Sequence, residues 1–201
     1  MTAVALIVAA SVLGLLSFFE PCTIATHTLF SARAHARAWP ACRRELLVLW
    51  LTRSLLVTGL LAVAVLLTPP PEWGDMLPGA ILAVMASVYI VSRFVYLPVP
   101  HLEFHRLVPG RPPAAVRLGL TLPACTLPLF VIVLGMVVTL DSIALAFAGG
   151  LLFASLFTLP TAVVAVTGLS AAGQRFLKAS ALAASYVTAG LLYGAALYLL
   201  L

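Results

Sequence analysis

Six apolar stretches, separated by short segments that hold nearly all the charge, dictate what this chain can become. They run from Ala3 to Phe30, Leu46 to Leu67, Gly79 to Leu97, Leu118 to Leu140, Ser142 to Leu169 and Ala179 to Leu201. A helix needs about 20 apolar residues to cross a bilayer core of roughly 30 Å, so each stretch predicts one span. The expected fold class is an all-α integral membrane protein of six transmembrane helices, with the lipid bilayer as its first partner. With 63% hydrophobic and 8% charged residues and a mean hydropathy of +1.17, a soluble core has no room for this much apolar surface. Little is left over for an extra domain. The segment Met1 to Phe19 has no Lys or Arg ahead of its apolar run, which is long for a signal peptide, and reads as a retained first helix.

The charges give a topology. Arg33, Arg37, Arg43 and Arg44 follow the first stretch, Arg106, Arg111 and Arg117 the third, and Arg175 and Lys178 the fifth. The second is followed only by Glu72 and Asp75, the fourth only by Asp141. Cytoplasmic loops are enriched in Lys and Arg, so the first, third and fifth loops are expected inside and both termini outside, in a cytoplasmic (inner) membrane. The formal charge of +5 and pI near 9.6 serve this topology. Nucleic acid is not an expected partner, because no basic patch with interleaved aromatics forms. Arg53 and Arg93 lie within apolar stretches and are expected to snorkel as anchors, although an intramembrane ionisable residue is otherwise a functional candidate.

Three spans on each side of the midpoint give two halves of opposite orientation. Residues 1–100 and 101–201 are therefore expected to form two inverted three-helix repeats within one membrane domain. Their sequences echo each other at one place, Cys22-Thr23-Ile24 in the first span and Cys125-Thr126-Leu127 in the fourth, each beside proline.

Proline inside a helix removes a hydrogen bond and clashes with the preceding turn. Glu20-Pro21-Cys22 and Pro123-Ala124-Cys125-Thr126-Leu127-Pro128 should each break or kink their span. Backbone broken at membrane depth survives where protein or a water-filled cavity satisfies it. A thiol at the start of a half-helix meets the positive end of the helix dipole, which favours thiolate; burial in hydrocarbon opposes it. Both cysteines lie about 12 Å from the inner face if helical. A disulfide needs Cα atoms about 4.4–6.8 Å apart, within reach of neighbouring helices. A lone membrane cysteine is ordinarily a small buried apolar residue; two in matching proline settings point toward a pair.

The segment Gly14-Leu-Leu-Ser-Phe-Phe-Glu-Pro-Cys22, the later Pro123-Ala-Cys125-Thr-Leu-Pro128 and a fifth span containing Leu159-Pro160 resemble the CcdA family, related to the transmembrane domain of DsbD. Pro128 supplies the proline that this family carries three residues after the cysteine; the matching position after Cys22 is Ala25. The resemblance implies catalytic roles for Cys22 and Cys125. It implies that cytoplasmic thioredoxin reduces their disulfide, and that the dithiol then reduces an extracytoplasmic thioredoxin-like protein. No cofactor beyond the cysteine pair is implied, and no metal.

Supporting roles are expected for Pro21, Glu20, Pro123, Pro128 and Pro160. Glu20, beside Cys22, could trade protons with the thiol, seal the site or bond internally. Pro160 should kink the fifth span or act as a hinge. His27 could assist proton transfer, but its nearness to the interface suggests a solvated histidine. Thr23 and Thr126 should return their hydroxyls to freed backbone. Cys42 is expected as a free thiol in the basic loop, and Gly190 with Gly194 as a close-packing face of the sixth span. His101, Glu103 and His105 could form at most a weak metal site. The rival to an electron carrier is a small-solute or metal-ion transporter, which would share inverted halves and broken helices. A structural membrane subunit would leave Glu20 and Arg53 without purpose.

Overall fold

The computed structural model describes residues 3–67, positions 84, 87 and 91, and residues 102–200. The third apolar stretch, apart from those three positions, and with it Arg93, Glu72, Asp75 and His101, lies outside the described residues. The rest is mostly helical. The first apolar stretch forms α1 (Ala3–Phe19) and α2 (Pro21–His35), the second lies in α3 (Trp39–Leu67), and the fourth is divided between α4 (Ala114–Gly119) and α5 (Leu127–Leu140). The fifth and sixth become α6 (Ile143–Thr167) and α7 (Ala171–Leu200). α3, α6 and the Ala171–Gly194 part of α7 are each long and apolar enough to cross a membrane, and α1 with α2 forms a fourth candidate bent by 76°. Their outward faces carry Val4, Leu51, Leu55, Leu66, Phe147, Val163 and Leu182, all exposed. An apolar surface this extensive belongs against lipid.

Both proline-marked breaks are present. Glu20 leaves α1 in an extended conformation, and its carbonyl accepts from Thr23 N and Ile24 N at 3.0 and 2.9 Å, restarting the chain as α2 with Pro21 in the first turn. Proline is tolerated there because the first helical N–H groups have no partner within the helix. In the second break, Thr121–Leu122 (β2) pairs antiparallel with Leu102–Glu103 (β1), and Ala124–Thr126 makes one 3-10 turn before α5, in whose first turn Pro128 sits. Pairing with β1 satisfies backbone that the interrupted helix leaves open. α6 runs through Pro160 without interruption.

α6 is the central post. Gly14 of α1 lies so close to it that a Cβ would stand 2.6 Å from the Phe153 carbonyl oxygen, and one on Gly150 would stand 2.9 Å from Thr58 Cα of α3. Small residues permit this approach, on which packing in lipid depends. Around them Leu6, Leu61, Val133, Phe153 and Phe157 form the main core. Gly14→Val should therefore cost about 2 kcal/mol, since the obstacle is backbone and cannot rotate away. The check is the thermal midpoint of the detergent-solubilised protein, expected to fall by several degrees, whereas Gly59→Val, which meets nothing within 4 Å, should leave it unchanged. Gly190 and Gly194 also meet nothing within 4 Å, so among the described residues they do not form the close-packed face expected of them.

Candidate functional site

The two breaks meet. Cys22, in the first turn of α2, and Cys125, in the 3-10 turn before α5, are joined in a disulfide across 103 positions, with Cα atoms 7.0 Å apart. Each cysteine owes its place to its prolines: Pro21 starts α2, while Pro123 and Pro128 hold the chain out of helix around Cys125. Thr126 returns its hydroxyl to the Pro123 carbonyl at 2.8 Å, as expected. Thr23 does not; its buried hydroxyl has no hydrogen-bond partner among the described residues. Glu20 is fully buried, and its carboxylate accepts from Thr188 Oγ1 of α7 at 2.7 Å. That contact makes the hinge between α1 and α2 a fixed point, since it ties the break to α7.

A cavity of about 430 Å³ lies against the pair, lined by α2 (Cys22, Thr26, Arg33) and by α4 and the segment after it (Arg117, Leu118, Pro123). Cys22 forms part of its wall and Cys125 does not. Arg37 and Glu45, also in the wall, make an ion pair, as do Glu103 and Arg106 nearby. The cavity thus lies among the side chains of the basic loops, with Cys22 of the disulfide in its wall.

Behind that wall, the buried face of α2 is a polar seam. Thr23, His27 and Ser31 recur every fourth residue, and all three are fully buried. Ser31 Oγ donates to the Thr161 carbonyl at 3.0 Å and His35 Nδ1 to the Ala165 carbonyl at 2.9 Å, docking α2 onto α6. His27 is the centre of the seam, with Nδ1 2.6 Å from Thr161 Oγ1, Nε2 3.1 Å from Arg53 Nη2, and its ring stacked on Phe157. A guanidinium can only donate. His27 Nε2 is therefore the acceptor, which assigns the remaining proton of a neutral ring to Nδ1, directed at Thr161.

Arg53 does not snorkel and His27 is not solvated: both are fully buried, because α3 turns Arg53 inward over the Phe157 ring, 4.1 Å from its centroid. Arg53 Nη2 also donates to the Leu118 carbonyl at 2.8 Å. One nitrogen thus bridges α2, which carries Cys22, and α4, seven residues before Cys125. Nε and Nη1 of Arg53 and the hydroxyl of neighbouring Ser54 are buried without hydrogen-bond partners among the described residues. The four-residue recurrence of polar side chains in α2 was the sequence signal for this seam; nothing in the apolar α3 run signalled which way Arg53 faces.

Cys42 lies inside α3, not in a loop, and is buried with Phe30, Ala34, Leu49, Ala115 and Ala165. Trp39-Pro40 opens the helix early, with proline again in the first turn. His105 lies 4.0 Å from Glu103 and within 3.3 Å of Thr121 Oγ1, and among the described residues no three His, Cys, Asp or Glu side chains converge as a metal site would require. No family model matches the chain, and neither a curated protein nor a solved structure matches it.

Proposed function

We propose that this chain carries reducing equivalents across a membrane by dithiol–disulfide exchange at Cys22 and Cys125. The observation that carries this reading is the meeting of the two cysteines at two helix breaks, with Cys22 lining a cavity. The resemblance of both Pro-Cys segments to the CcdA family supports it. In this reading the chain has six spans arranged as two inverted three-helix repeats, residues 1–100 and 101–201, with the basic loops in the cytoplasm and both termini outside. The donor is cytoplasmic thioredoxin and the acceptor an extracytoplasmic thioredoxin-like protein.

The exchange proceeds through direct sulfur contact. A donor thiolate attacks Cys22 Sγ, the Cys22–Cys125 bond breaks, and Cys125 leaves as a thiolate that takes up a proton. The donor's second thiol then attacks the mixed disulfide, leaving an oxidised donor and a reduced pair; the acceptor reverses both steps at the opposite face. One pair serving two faces must be exposed to each in turn, by rocking of the two halves. The cavity beside Cys22 lies among the basic side chains Arg33, Arg37 and Arg117, which supports access from that side.

Mass-shift alkylation of the purified full chain tests this reading, in wild type and with Cys42→Ser. Before reduction, Cys22 and Cys125 should both be protected from maleimide; after incubation with reduced thioredoxin, two thiols per chain should become alkylatable together. If both stay free thiols under mild oxidant, or if thioredoxin never alters them, the redox reading fails and a solute transporter with broken helices takes its place.

A further inference from the structure

We propose that the cavity beside Cys22 binds a low-molecular-weight thiol bearing carboxylates, which reduces the pair without a protein donor. This inference rests on the redox reading above and names a substrate class for the same site. Its volume, about 430 Å³, falls among small-molecule pockets of roughly 300–1,000 Å³.

Charge selects the ligand. Arg37 is matched by Glu45 and Glu103 by Arg106, which leaves Arg33 and Arg117 as lining cations with no ion pair among the described residues. They come from two different helices of the lining, Arg33 from α2 and Arg117 from α4. Thr26, Thr121 and His105 add hydrogen-bonding groups to the same lining. An anion held by both arginines would make charge-assisted hydrogen bonds, the stronger kind, with guanidinium forks suited to carboxylate.

Length selects it further. Arg33 follows Cys22 by eleven positions on one helix, about 16 Å along the axis. An Arg33 side chain directed back toward Cys22, the way side chains lean along a helix, would shorten that gap toward the span of an extended tripeptide, about 10 Å. The ligand therefore has its thiol at one end, reaching Cys22 Sγ, and carboxylates toward the other. If the basic face is cytoplasmic, it meets a reduced pool of such thiols.

The reaction balances with two ligand molecules. One thiolate attacks Cys22 Sγ and expels Cys125 as thiolate; a second attacks the ligand sulfur of the mixed disulfide and frees Cys22. Two thiols lose two electrons and form one small disulfide, the protein disulfide gains both, and the protons released by the thiols are taken up by the two cysteines.

Reduction rates of the oxidised full chain in detergent test the proposal, with glutathione, its diethyl ester, cysteamine and dithiothreitol compared at matched thiolate concentration. Each rate is divided by that of the same reagent on a small model disulfide. Glutathione should then exceed its ester and cysteamine by at least about tenfold, falling toward parity in high salt, and R33Q with R117Q should bring the ratio to within about twofold. If glutathione is no faster than its ester while dithiothreitol and thioredoxin still reduce the pair, the inference is overturned and the redox reading stands. If no thiol changes the state of Cys22 and Cys125, the redox reading itself has failed. The comparison of reagents on the unaltered protein decides the matter even if the double variant does not fold.

Discussion

Cys125→Ser should abolish electron transfer while accumulating a covalent adduct between Cys22 and its donor. Both cysteines are half-buried, but the cavity is lined by Cys22 and not by Cys125, and in the proposed exchange the incoming thiolate attacks Cys22 and expels Cys125. With serine at 125, Cys22 can still exchange with an activated donor disulfide, but no second protein thiol is positioned to resolve the product. Cys22→Ser should also abolish transfer, and it should trap nothing from the basic face. Both losses should be complete, because an alcohol does not take part in disulfide exchange. Incubating each variant with thioredoxin carrying a single active-site cysteine, activated as a mixed disulfide, and running non-reducing gels would separate the two. Equal trapping by both variants would mean that the two sulfurs are equally reachable and that the asymmetry of the cavity has no mechanistic meaning.

His27→Leu should loosen the docking of α2 far more than the loss of one side chain's packing would suggest. Leucine fills the space beside Phe157 but offers Arg53 no acceptor, leaving a buried guanidinium with one hydrogen bond, to the Leu118 carbonyl, and its other donors unpaired. Stranding a charged donor in this way costs about 3 kcal/mol, or roughly two powers of ten in a local opening equilibrium. His27→Gln should recover most of it, since the glutamine carbonyl can accept from Arg53 while its amide donates to Thr161. Cys42 reports the result, being a free thiol buried against Phe30 and Ala34 of α2. Its maleimide labelling should accelerate by about a hundredfold in His27→Leu and by less than about tenfold in His27→Gln. Equal rates in the two variants would show that His27 acts only by filling space.

The chemistry of proline made the breaks legible from sequence: Pro21, Pro123 and Pro128 interrupt two apolar runs where the structure bends the chain or draws it into extended and 3-10 conformation. Apolar length likewise marked α3, α6 and α7 as membrane-length helices. Direction around a helix axis was not legible. An ionisable residue in an apolar run has a known depth, but whether it faces lipid, solvent or another helix is decided by neighbours distant in sequence. Arg53 and His27 were misjudged for that reason, each needing the other, with Leu118, Thr161 and Phe157, to be tolerable inside. Nor did sequence single out Gly14 and Gly150, which are pressed against backbone, from Gly190 and Gly194, which among the described residues meet nothing within 4 Å. Cys42 is the free thiol expected, but in a helix and not a loop: basic neighbours suggest a loop, although Trp39-Pro40 can equally open a helix.

The placement of Cys42 also bears on fidelity. Three cysteines permit three different disulfides, and a sulfur that cycles between states is exposed to capture by any accessible third thiol. By enclosing Cys42 among apolar neighbours on α2, α3, α4 and α6, the fold keeps its thiol from attacking the Cys22–Cys125 disulfide or the mixed disulfide of the proposed exchange. Scrambling into a dead-end pairing is thus blocked by inaccessibility, with no need for the chain to dispense with its third thiol.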